Sequence, residues 1–259
     1  MSSLISLTTA ELMTWIGTVW WPFVRFSALL WAMPAFDNPA VPPRARILLA
    51  VFLSFLAGPL LPAMPAVDPF SLDAVLLTVE QLVFGIVLGL ALRMLFEVLA
   101  LVGLILSMQM GLAMAMMMDP GSGDNVSLLS QLFWVMTVLL FFGLNGHLIT
   151  LAILVDSFSL WPVGSSLYQL NLMLIVQLFG WIFAAALLIA LPAVLAMLLV
   201  NLTFGVASRS APSLNLFVLG FPMTLLLGFV AVFLTLSQTG SAFSGLASHV
   251  LTSMRQLMG

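Results

Sequence analysis

Charge is what this chain has least of: 6% of its 259 residues are Asp, Glu, Lys or Arg, against about a quarter in a soluble domain. All six basic residues are arginine, and with nine acids they are too few to coat a globule of this length. Most of the surface must therefore meet lipid or other apolar protein. Cysteine is absent, which excludes a disulfide framework, a thiolate zinc site and a cysteine nucleophile. No basic stripe is present to meet phosphates, and the formal net charge is −3, so nucleic acid is not an expected partner. Catalytic sets are missing too. There is no HExxH, no P-loop and no GxSxG, and His147 and His249 lie far apart. Residues 1–11 carry no cationic n-region, so a cleavable signal peptide is not expected and the first apolar segment should remain as a span.

What the chain has in place of charge is grease. Hydrophobic residues make up 63% of it, and its mean hydropathy is +1.26. A membrane helix needs roughly 20 apolar residues, and such runs lie at 12–33, 45–63, 128–155, 171–204 and 213–238. The block 74–118 is too long for one span at about 1.5 Å per residue, and Arg93 and Glu97 are expected to divide it into two. The tail 240–259 is mildly amphipathic. The fold class expected is an all-α membrane protein of six or seven apolar helical segments. Lipid leaves backbone groups no partner outside a helix or a closed barrel, and barrels need short alternating strands instead.

The linkers are polar or proline-rich: 34–46, 62–73, 119–127 and 205–213. Arg44 and Arg46 place the first loop in the cytoplasm and the acidic 62–73 loop outside. Arg209 also favours the cytoplasm, whereas simple alternation through seven spans puts it outside. No internal repeat of fixed period is present, so an inverted-repeat transporter gains no support.

Ionisable groups inside apolar segments are costly and therefore candidates for function or pairing. Arg93 and Glu97 stand four apart on one helix face; they can pair with each other or serve a function, and both readings remain open. Glu80 precedes Arg93 by thirteen residues, which places it near the opposite face of a straight helix. It needs a partner elsewhere, and Arg25 is the candidate. Gly85 and Gly89 form a GxxxG suited to close approach of another helix. Asn145-Gly146-His147 interrupts an apolar run, as a helix kink or as a ligand. Met108, Met110, Met114, Met116, Met117 and Met118 cluster within eleven residues. Methionine conforms to irregular surfaces. The cluster is either ordinary apolar filler or a deformable seal, since a hydrophobic constriction can gate by dewetting.

These landmarks form an ordered set. VRFSALLWAMPAF (24–36), VPPRAR (41–46), EQLVFGIVLGLAL (80–92), LVGLILSMQMGLAMAMMMDP (101–120), NGHLITLAILVDSFSLWP (145–162), ALLIALPAVLAMLLVN (186–201) and SRSAPSLNLFVLGFP (208–222) together resemble the FliR family of flagellar type III export gates. Asn145 departs from the pattern, which has Asp before Gly-His.

The resemblance implies a structural and gating subunit, with no chemistry and no cofactor of its own, that passes unfolded flagellar subunits out of the cytoplasm. It would sit in the bacterial inner membrane within the flagellar basal body, beside FliP-like, FliQ-like and FlhB-like subunits and membrane lipid. Residues 1–170 would be FliP-like hairpins. Residues 171–259 would be a FliQ-like hairpin (171–238) and a C-terminal helix, with Arg209 and Pro212 at the hairpin turn. The stretch at about 109–125 would plug the pore, making Met110, Met114, Met116, Met117, Met118 and Asp119 the seal. Bilayer topology would be non-standard in the assembly, which accommodates Arg209. Much of the surface would face protein, which accommodates buried pairing of Arg25, Glu80, Arg93 and Glu97. The alternative is a small-molecule or ion permease whose path those four charges line.

Overall fold

The computed structural model describes residues 9–37, 41–112, 127–210 and 216–258. Its elements are α1 (Thr9–Ala32), α2 (Pro43–Ala57), α3 (Leu72–Gln109), α4 (Leu128–Gly143), α5 (Gly146–Leu160), α6 (Leu172–Ser210) and α7 (Leu216–Met258), with short 3-10 turns at Gly58–Leu60 and Leu167–Gln169. Among the described residues every regular element is helical. Among the described residues four helices are long and apolar enough to cross a membrane, and a fifth span is formed if the bent pair α4 and α5 is counted as one. This is a helical membrane protein. α1 is not among the four; Arg25, Pro22 and four tryptophans lower its hydropathy.

Two expectations of segmentation are corrected. α3 is one continuous helix of 38 residues, not two divided at Arg93 and Glu97. A charge does not break a helix: Arg and Glu are good helix formers, and α3 has no proline. It stops at Gly111, whose φ of +76° is the left-handed turn that commonly ends a helix. The tail 240–259 is likewise not a separate piece, because α7 runs unbroken to Met258. At Asn145 the structure takes the kinked alternative: α4 and α5 are bent by 69°, and Asn145 sits at φ 57°. Asn is among the few non-glycine residues that enter this region readily.

The chain folds as two compact units, Met1–Arg93 with Asn145–Val176 and Val250–Gly259, and Met94–Leu144 with Gln177–His249. In the first, α1 packs on α2 and against the glycine face of α3. A Cβ at Gly85 would collide with the Arg25 carbonyl and lie 2.6 Å from the Ala28 Cβ; one at Gly89 would lie 2.5 Å from the Ala32 Cβ. The GxxxG spacing thus does what its chemistry allows, letting two backbones approach closely. In the second unit, Gly103 meets the Leu129 carbonyl in the same manner. Ser107 and Ser127 hydrogen-bond to each other, and Ser130 Oγ donates to the Ala100 carbonyl at 2.9 Å. Phe96 packs on Phe141 with ring centres 5.4 Å apart.

Candidate functional site

The first unit is organised around a buried arginine. Arg25 has no exposed surface. Its Nε donates to Gln81 Oε1 at 2.8 Å, its Nη1 to Ser157 Oγ at 2.9 Å and its Nη2 to the Trp161 carbonyl at 2.9 Å; Nη2 also reaches Gln81 Oε1. The guanidinium carbon lies 3.8 Å from the Phe158 ring centre and 5.0 Å from that of Phe84. Phe84 in turn stacks on Trp161 at 4.7 Å. α1 supplies the cation, α3 the amide and one ring, and α5 the hydroxyl and the other ring, so one side chain ties three helices. Ser157, Phe158 and Trp161 converge on it because residues three and four apart share a helix face.

Glu80 enters this network indirectly. Its Oε1 accepts from Gln81 Nε2 at 3.2 Å and from the Gly164 backbone N–H at 3.0 Å. Gln81 therefore relays between Arg25 and Glu80, accepting from the cation on one side and donating to the acid on the other. Both ends are needed, because an isolated charge in an apolar interior is prohibitively expensive while a paired and hydrogen-bonded one is tolerated.

Arg93 and Arg46 converge on one acid. Arg93 Nη1 lies 3.5 Å from Asp37 Oδ2, and Arg46 Nη1 lies 3.8 Å from Asp37 Oδ1. Glu97 stands one turn further along α3. Arg209 is exposed in the last turn of α6; Pro212 lies outside the described residues.

Of the seal candidates, Met110 is described and Met114, Met116, Met117, Met118 and Asp119 lie outside the described residues. Met110 is buried, while Met108 is exposed. The Met110 side chain lies over Gly228 of α7, where an added Cβ would come within 2.8 Å of its Sδ and Cε and closer still to its Cγ. Met110 is thus seated in a notch that only glycine leaves open.

Sequence reasoning missed Gln81, Ser157, the Trp161 carbonyl and Asp37. Gln81 carries a visible signal, an amide beside an acid in an apolar run. A backbone carbonyl carries none.

Comparison with known proteins decides what such an apolar, internally pinned chain belongs to. A family model described as "Bacterial export proteins, family 1" matches residues 16–250. Over 226 residues the chain is 35% identical to the flagellar biosynthetic protein FliR of Escherichia coli K12, covering 87% of this chain and 86% of that protein. The chain belongs to the FliR family. Its likeness to other FliR proteins is spread along its length: 32% identity to that of Pectobacterium carotovorum, over 90% of this chain and 89% of the relative, and 26% to that of Bacillus subtilis, over 100% and 98%. As a FliR-family member it is a membrane protein of the bacterial export apparatus in flagellar biosynthesis, a transport component and not an enzyme.

Proposed function

We propose that the chain is a structural and gating subunit of the flagellar protein export channel. It assembles with FliP-like, FliQ-like and FlhB-like subunits in the inner-membrane part of the basal body and passes unfolded flagellar subunits outward. Residues 1–170 act as its FliP-like part and 171–259 as its FliQ-like part, with α6 and α7 turning at Arg209 and Pro212.

The observation that carries this reading is the naked length of α6. No charged side chain occurs from Leu172 to Ser208. Large apolar residues lie exposed along the helix at Leu172, Val176, Phe183, Leu191, Leu198 and Val206, with others between them. That stripe is about 51 Å long at 1.5 Å per residue. The hydrocarbon layer is about 30 Å thick, and even with headgroups the bilayer is about 40–45 Å. Burying the whole stripe in hydrocarbon would take a tilt of about 54°, beyond the usual range. Companion helices cover it more economically than lipid does.

The methionine stretch is the gate in this reading. Met110, held over Gly228, anchors one end, and Met114, Met116, Met117, Met118 and Asp119 form the soft closure beyond it. Flexible thioethers can pack against one another when the pore is empty and give way around a passing chain. The permease alternative draws on the same four charges, but Arg25 has four of its five N–H donors in hydrogen bonds and two aromatic rings packed against it, which leaves it little capacity to meet a solute.

The test is purification of the tagged full chain from native membranes. A gate subunit comes out in one assembly with unlike export subunits. A lone or homo-oligomeric chain that moves a small solute by itself would overturn the proposal.

A further inference from the structure

A groove of about 430 Å³ runs between α1, α2 and α3, walled by Ala28, Trp31, Arg46, Ile47, Leu82 and Ile86. Its volume lies within the roughly 300–1,000 Å³ of small-ligand sites. Three independent features describe what it would take. The walls are apolar and open onto membrane-type surface, with Trp31, Ile47 and Leu82 all exposed. One border is cationic: Arg46 lines the groove itself, and Arg93 lies two turns beyond Ile86 on α3, both converging on Asp37. Arg44 is exposed one turn from Ile47. Even with Glu97 one turn past Arg93, cations here outnumber acids three to two. Finally, Ser27 lines the same groove, and its buried Oγ has no hydrogen-bond partner among the described residues.

We infer that this groove is a binding site for an anionic phospholipid. One acyl chain lies along Ala28, Leu82 and Ile86, and the phosphate is held at the Arg46–Arg93 border with Ser27 donating to an oxygen of the lipid. Arginine forks match phosphate geometry, and basic pockets between membrane helices are the usual place for acidic headgroups. Trp31 at the rim is exposed, and such amphipathic rings gather at the level of lipid headgroups. The inference needs only a membrane location and stands apart from the gating proposal.

The experiment uses the full chain, alone and within its export assembly, exchanged in detergent against equal amounts of dioleoyl phosphatidylglycerol and dioleoyl phosphatidylcholine. Bound lipids are counted by native mass spectrometry. The wild type should retain phosphatidylglycerol preferentially, and Arg46→Gln or Arg93→Gln should each lower that preference about fivefold. Asp37→Asn keeps every cation and removes the competing acid, so it should raise the preference by a similar factor; a purely structural role for the cluster predicts a fall. Ile86→Trp fills the groove and should reduce retention of both lipids. Equal retention by the wild type would overturn the site, as would arginine variants with unchanged preference. Lipid bound to the isolated chain but expelled on assembly would also overturn it, in favour of a partner helix in the groove.

Discussion

The relay Arg25–Gln81–Glu80 makes a quantitative prediction that its parts can be made to betray. Arg25→Met removes a buried cation together with hydrogen bonds to Gln81, Ser157 and Trp161, and strands Glu80 without a counter-charge. Glu80→Gln removes the acid and leaves Arg25 buried. Breaking a buried ion pair from one side costs about 3–5 kcal/mol; at roughly 2–4 °C per kcal/mol, each variant should lower the melting temperature of the full chain in detergent by about 6–20 °C. The double variant leaves no buried charge uncompensated, so it should be less destabilised than the sum of the singles by about 1–3 kcal/mol. Gln81 bonds to both groups, so the coupling should shrink when the same cycle is repeated in a Gln81→Leu background, where only the through-space attraction of the two charges remains. Scanning fluorimetry, with tryptophan emission as a second probe, measures all of these. Additive single effects in the wild-type background would refute the relay, and so would coupling that the loss of Gln81 leaves undiminished.

The other predictions concern packing. Gly89→Leu pushes a side chain into Ala32 of α1, where even a Cβ would sit at 2.5 Å, and should cost at least about 1–3 kcal/mol, seen as a lower melting temperature and faster proteolysis of α1. Gly228→Val should dislodge Met110 from its notch and destabilise by about 1–3 kcal/mol in thermal melts while overall helicity by circular dichroism holds. Asn145→Val places a β-branched residue at φ 57° and should destabilise by about 1–3 kcal/mol, whereas Asn145→Gly should be nearly neutral by circular dichroism melting.

How much of this is legible in the sequence differs from element to element. The helical membrane class follows from hydropathy alone, and the Gly85/Gly89 contact follows from spacing. Continuity of α3 was hidden because Arg93 and Glu97 look like interruptions, although only backbone chemistry such as that of Gly111 ends a helix. Arg25 was visible as an anomalous charge, but its partners were not. Gln81 intervenes where a direct pair with Glu80 was expected, and Asp37 meets Arg93 across 56 residues, a distance that no helical periodicity encodes. The Trp161 carbonyl is reachable only once α5 has ended beside α1.

The central claim is that soft thioethers close an export pore, and ion permeability of membranes holding the assembled complex tests it most directly. With Met116, Met117 and Met118 all replaced by glycine, the account predicts a membrane that loses its proton and ion gradients while the complex still assembles. A variant complex that assembles in normal amount and remains as tight as the wild type would contradict it.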